Sequence, residues 1–134
     1  MTLIKSIAGI RGTIGGSPGE TLSPLDVVKY AAAFGEILKT KFKNPKVVIG
    51  RDARPSGPMI GALLSNTLIA QGIDLIDTGL STTPTVEMAV VAGQAQGGIV
   101  ITASHNPIGW NALKLLTDAG EFISAELGAE VLKR

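Results

Sequence analysis

Gly98-Ile99-Val100-Ile101-Thr102-Ala103-Ser104-His105-Asn106-Pro107 joins an apolar run to a hydroxyl, an imidazole and a turn signal. A short apolar run bounded by glycine on one side and turn residues on the other predicts a buried strand, here residues 99–102. Asn106-Pro107 then marks a turn, so Ser104 is lifted off the strand end and presented to a ligand. The chain as a whole, 45% apolar with 17% charged residues, suits a sheet covered on both faces by helices.

The rest of the chain alternates strands with helices. After the apolar start Leu3, Ile4 and Ile7, the glycine-rich residues 9–19 read as a loop or loose hairpin. Ser23-Pro24 supplies an N-cap and a proline at the first helical position, and Val27, Tyr30, Ala31, Phe34, Ile37 and Leu38 recur at helical spacing. Val47-Val48-Ile49 is a short buried strand leading into Gly50 and a loop over residues 51–57. A second helix carries Ile60, Leu63, Leu64 and Leu68 and closes at Gly72. A strand over residues 73–77 precedes a third cap-and-proline start at Thr83-Pro84, with a helix to about Ala92. Residues 112–117 form a further strand, closed by the Asp118-Ala119-Gly120 turn, and a last helix runs over residues 124–134. The pattern is α/β: a three-layer α/β/α sandwich with a mixed sheet, one domain over residues 1–134. In such sheets ligands gather at the carboxyl ends of strands, where the 51–57 loop and the Ser104 loop both fall.

Bulk properties narrow the function. A chain of 134 residues folds as one domain and buries roughly two-thirds of the surface its unfolded form exposes. Formal net charge is +1, from twelve basic and eleven acidic residues, which leaves no broad surface for nucleic acid or an anionic membrane. The absence of cysteine excludes disulfides and thiolate chemistry, and a single histidine excludes a multi-His metal site within the chain. No run reaches transmembrane length and the N-terminus lacks a signal-peptide core, so the expected location is cytoplasmic.

Three blocks stand in order along the chain: Gly9-Ile10-Arg11-Gly12, Gly50-Arg51-Asp52-Ala53-Arg54-Pro55-Ser56-Gly57, and Thr102-Ala103-Ser104-His105-Asn106-Pro107 with Asn111 and Lys114 downstream. Together they resemble the α-D-phosphohexomutases, the phosphoglucomutase, phosphomannomutase and phosphoglucosamine mutase superfamily, and the resemblance covers most of the chain. It implies that the chain corresponds to domain I of a four-domain protein. No Asp-Gly-Asp-Gly-Asp-Arg-like run, Gly-Glu-x-Ser-Gly loop or C-terminal phosphate loop of the family is present, so the remaining domains of a longer chain are expected partners.

The resemblance implies that Ser104 carries a phosphoryl group and passes it to a hexose phosphate through a bisphosphorylated intermediate, moving phosphate between C1 and C6. Lys114 is then the general base and acid. Arg11, His105 and Asn106 contact substrate and phosphate, and a phosphoserine oxygen on Ser104 binds Mg²⁺ whose other ligands lie on the missing second domain. The residue types suit that chemistry. A serine phosphate ester stores a phosphoryl group between turnovers, and its nearly two negative charges call for backbone N–H groups, here from the Asn106-Pro107 turn, and for cations. Arg11 offers a planar fork and Lys114 a compact charge.

Arg51, Asp52, Arg54 and Ser56 read as a supporting loop, with Asp52 pairing a nearby arginine, Ser56 capping a helix, and the whole buttressing the serine loop beside Asn111. Trp110 packs that loop. Two departures from the family stand out. Ala112 follows Asn111 where the family has glycine, which predicts strain if φ is positive there. The opening Ser6-Ile7-Ala8-Gly9-Ile10-Arg11-Gly12 is not the Gly-Thr-Asp-Gly-Ile-Arg-Gly of the phosphoglucosamine branch, so the choice among glucose, mannose and glucosamine phosphates stays open.

A serine hydrolase is excluded because Ser104 lacks a Gly-x-Ser-x-Gly elbow and the single His is its neighbour, on the opposite face of an extended backbone. No Gly-x-Gly-x-x-Gly opens a helix, which excludes a dinucleotide fold. The remaining alternative is a non-catalytic module that binds phosphate or docks on other domains. Without those domains the chain is expected to be inactive and to leave an apolar face exposed, which favours self-association.

Overall fold

A computed structural model describes residues 1–6 and 9–133. In chain order the elements are β1 (Ile4–Ser6), β2 (Gly9–Thr13), α1 (Pro24–Lys41), β3 (Lys46–Arg51), α2 (Gly57–Ala70), β4 (Asp74–Leu80), α3 (Thr83–Ala92), β5 (Gly97–Ile101), β6 (Trp110–Leu116) and α4 (Ala125–Lys133). The strands form one sheet in the order β1-β2-β6-β5-β3-β4. Strands β4, β3 and β5 run parallel, while β6, β2 and β1 continue the sheet antiparallel. The sheet is therefore mixed, with helices on both faces, as the alternating pattern predicts.

Local sequence explains most of the boundaries. Ser23 caps α1 with extended backbone and its hydroxyl accepts from the Asp26 amide, while the Asp26 carboxylate accepts in return from the Ser23 amide. This reciprocal box satisfies two amide groups that the first turn leaves open. Lys39 and Lys41 sit in the last turn, where the helix dipole favours cations. At the end of α2, Gly72 takes φ +80 and turns the chain into β4.

The two faces of the sheet are unequal. Phe34, Ile37 and Leu38 of α1, Ile60, Leu64 and Leu68 of α2, and Val131 of α4 pack on Ile10, Val47, Ile49, Ile99, Ile101, Leu113 and Leu115. On the opposite face Val86 and Val90 of α3 cover only Val48, Val100 and Leu116. Three helices thus share one face and a single helix the other. Among the described residues no helix covers the antiparallel half of the sheet on the α3 side, and Arg11, Ala112 and Lys114 face that open side, with Ala112 opposite Arg11 and Lys114 opposite Val100.

Three sequence readings change. Residues 9–19 do not form a loop throughout, because Gly9–Thr13 pairs with β6 on one side and β1 on the other, and ladder hydrogen bonds outweigh the low strand preference of glycine. The third helix is capped by Thr82, not Thr83. Thr82 has extended backbone and accepts from the Thr85 amide, three residues on, while Thr83 is already helical. Ala112 is not strained: it lies in β6 opposite Arg11, and Ser104 and Gln94 are the non-glycine residues with positive φ among those described. The expected presence of Arg134 in the last helix lies outside the described residues, as do Ile7 and Ala8 of the opening motif.

Candidate functional site

The loop of residues 102–109 connects β5 to β6 at the carboxyl end of the parallel strands. The loop after β3 arrives beside it, tied by the Asp52 amide donating to the Ile101 carbonyl at 3.1 Å. Ser104 is exposed at the tip and adopts φ +50, a left-handed conformation that L-residues seldom take. Its hydroxyl accepts from Lys114 Nζ at 2.7 Å. Lys114 reaches it from β6, a strand held between β2 and β5.

A cleft of ≈ 220 Å³ is lined by Arg11, Ala103, Ser104, His105, Asn106, Ala112 and Lys114. It opens on the half of the sheet that no helix covers, so two cations and a serine hydroxyl face the same space. Arg11 and His105 are both exposed, and the structure brings both to the cleft. The Asn106 amide does not point to it as a free donor, because it bonds the Ala103 carbonyl at 3.0 Å. Ser104 is not extended, contrary to the sequence expectation used against a serine hydrolase: its φ is +50. The Ser104 hydroxyl meets Lys114 and not His105 among the described residues, so the site holds no Ser–His pair there.

Arg54 holds the loop together. Its Nη1 donates to the Pro107 carbonyl at 2.6 Å and the Trp110 carbonyl at 3.0 Å, and its Nη2 donates to the Asn106 carbonyl at 2.8 Å and the Ser104 carbonyl at 3.0 Å. Its Nε meets Asp52 Oδ2 at 3.3 Å. A guanidinium has five donors in a fixed fork, and here each N–H-bearing nitrogen is spent on backbone oxygens of one loop or on the carboxylate that orients it.

Asn111, fully buried, donates from Nδ2 to Ser56 Oγ at 2.9 Å and accepts the Ala112 amide at Oδ1. Ser56 stands at the start of α2 but caps nothing with its side chain. Its own backbone is already helical (φ −78, ψ −9), which turns the hydroxyl away from the first-turn amides. Arg51 lies apart from the serine loop, in a separate cleft with Asp77 and Ser65.

Thr102 is the residue that the sequence reading passes over. Its hydroxyl donates to Asp52 Oδ2 at 2.7 Å and accepts from the Ser104 amide at 3.2 Å. The signal was there, since a threonine two residues before the presented serine is a side-chain-to-backbone turn pattern.

The sequence and the fold have counterparts among known proteins. The family model for the phosphoglucomutase/phosphomannomutase α/β/α domain I matches residues 3–134. A phosphoglucomutase/phosphomannomutase of Thermococcus kodakarensis is 42% identical over 123 residues, a match covering 90% of this chain and 27% of that protein. A phosphoglucosamine mutase of Polaromonas naphthalenivorans is 37% identical over 123 residues, covering 92% of this chain and again 27% of the relative. Among solved structures, a phosphoglucomutase/phosphomannomutase family protein of Burkholderia thailandensis superposes with a TM-score of 0.80 at 29% identity, over 98% of this chain and 30% of that one. These matches define an α/β/α domain of the phosphohexomutase class. The chain belongs to the phosphoglucomutase/phosphomannomutase family, as domain I, and spans about 27% of the length of the curated relatives it matches.

Proposed function

We propose that this chain is the phosphoserine-bearing domain of a longer phosphohexomutase that interconverts hexose 1-phosphates and hexose 6-phosphates. The observation that carries the reading is the Lys114 Nζ to Ser104 Oγ contact of 2.7 Å, at the mouth of a cleft that also holds Arg11 and His105. In the forward transfer a sugar hydroxyl attacks phospho-Ser104. The bond from phosphorus to the serine oxygen breaks, a bond from phosphorus to the sugar oxygen forms, and the hydroxyl proton passes by way of Lys114 to the departing Ser104 Oγ, which leaves as a hydroxyl. In the return transfer Ser104 Oγ is itself the attacking hydroxyl, and Lys114 already stands at the distance a general base needs. Arg11 contributes charge to the transferring group, since phosphoryl transfer depends on positioning and electrostatic stabilisation.

Mg²⁺ is the cofactor the family implies, and it would screen the charge on the phosphoserine. No group of three or more His, Cys, Asp or Glu that could hold a metal ion occurs among the described residues. Asp52, the carboxylate in the neighbouring loop, is engaged by Arg54 and Thr102. A phosphoserine oxygen at Ser104 would be this chain's ligand to the ion, with the remaining ligands expected on the second domain of the longer protein. The names of the relatives put glucose, mannose and glucosamine phosphates in range. No helix among the described residues is long and apolar enough to cross a membrane, and the cytoplasm, where hexose phosphates are made and used, is the proposed location.

The test is intact mass and peptide mapping of the complete protein from its source, with a coupled assay for hexose 1-phosphate turnover. One phosphate on the Ser104 peptide, and loss of both phosphate and turnover in Ser104→Ala, are expected. An unphosphorylated Ser104 with no turnover in the parent protein would leave a phosphate-binding or docking module instead.

A further inference from the structure

We infer that Thr102 is a positioning residue, one that sets the backbone conformation in which Ser104 meets Lys114. The inference rests on the proposed role of Ser104 for its kinetic consequence, but its structural content stands alone. A threonine hydroxyl has one hydrogen to give and two lone pairs. The Asp52 carboxylate can only accept, so the hydrogen of Thr102 is committed to Asp52 Oδ2, at 2.7 Å. The lone pairs are then turned toward the loop, where one receives the Ser104 amide at 3.2 Å. Asp52 is itself fixed by Arg54, through the backbone amide to Oδ1 at 3.1 Å and through Nε to Oδ2 at 3.3 Å.

The same arginine takes the Ser104 carbonyl through Nη2 at 3.0 Å. Both backbone groups of Ser104 are thus gripped from one side, the N–H by Thr102 and the C=O by Arg54, with Asp52 orienting both grips. Between them stands a left-handed φ of +50 on a residue that is not glycine. Backbone strain of this kind persists where surrounding contacts over-determine it. Removing the hydroxyl of Thr102 releases the N–H side while leaving the Arg54 side intact. Ser104 then relaxes toward negative φ, and its Oγ moves off the Lys114 ammonium.

The experiment compares Thr102→Val, which keeps shape and loses the hydroxyl, with Thr102→Ser, which keeps the hydroxyl, in the complete protein. Thr102→Ala replaces the valine variant if that variant is insoluble. In crystal structures of the variants, Ser104 should leave the left-handed region and lose the Lys114 contact without the hydroxyl, and keep both in Thr102→Ser. In steady-state kinetics Thr102→Val should lower kcat by about tenfold to a hundredfold, as small misplacements of reacting groups do, with KM changed by less than about twofold. Thr102→Ser should restore turnover. A valine variant with Ser104 still at positive φ on Lys114, or with the parent kcat, overturns the inference, as does a serine variant no better than valine. If the parent protein shows no mutase turnover, the functional reading fails and the crystal structures alone decide the role of Thr102.

Discussion

At the scale of single residues, Ser104 and Lys114 form the contact on which the proposed chemistry turns. Replacing Lys114 by Met keeps much of the unbranched stem and removes the amine. The expected loss in kcat is about 10²- to 10⁴-fold, the usual range for a general acid–base group, and steady-state assay of the complete protein checks it. A smaller loss would make Lys114 a phosphate-binding charge only. Tyr30 offers a separate test away from the site. It lies in the core between α1 and the sheet, 6% exposed, and its hydroxyl has no hydrogen-bond partner among the described residues. Burial pushes its phenol pKa up, so the group stays neutral. An unpaired buried hydroxyl costs about 1–3 kcal/mol, so Tyr30→Phe should raise stability by about 1 kcal/mol in urea unfolding. A destabilised variant would mean that the hydroxyl has a partner in solution.

At the scale of elements, the first turn of α1 links sequence to acid stability. Burial raises the Asp26 pKa, but hydrogen bonds from the Ser23 hydroxyl and the Gly19 and Ser23 amides, together with Lys5, outweigh it and hold the carboxyl below its ordinary value. A carboxyl depressed in the folded state stabilises fully above its unfolded pKa, about 4, and that stability is lost as pH falls through the folded value. Asp26→Asn should therefore lower the melting midpoint at pH 7 and shrink the gap between pH 7 and pH 3, read by circular dichroism. An unchanged gap would assign the acid sensitivity elsewhere.

This helix was also the most legible element in the sequence, because Ser23, Pro24 and the apolar spacing from Val27 to Leu38 act within a few residues of one another. Strand β2 was illegible for the opposite reason. Gly9-Ile10-Arg11-Gly12 has no local strand signal, and its extended form is imposed by partners a hundred residues away in β6. The site divides along the same line. The presentation of Ser104 at a strand end follows from local turn chemistry, whereas the meeting of Arg54 with the carbonyls of residues 104, 106, 107 and 110 needs two loops brought together by the parallel pairing of β3 with β5. The Ser104 to Thr102 hydrogen bond is local, and a closer reading of threonine two residues before serine could have found it.

For the whole molecule, the unequal covering of the sheet is the governing feature. The single helix on one face, α3, turns Met88 and Val91 outward, 72% and 57% exposed, with Leu80 at the end of the neighbouring β4 64% exposed. Exposed apolar side chains on one helix side favour association. Sedimentation of the isolated chain should give a mass that rises with concentration, and Met88→Glu should reduce it. A monomer mass at every concentration would show that these side chains are tolerated in water.

The open half of the sheet also bears on the proposed chemistry. Ser104 is exposed, with φ and hydrogen bonds fixed by its own domain, so a phosphoryl group on it would stand ready and uncovered. Water is then a rival acceptor to any sugar, and no element among the described residues covers Ser104 against it. Without a cover, the proposed phosphoserine would meet water in place of a sugar, and slow loss of its phosphoryl group by hydrolysis would be the expected outcome. On the proposed reading the domain would supply the reactive group, and fidelity would have to come from whatever closes over it.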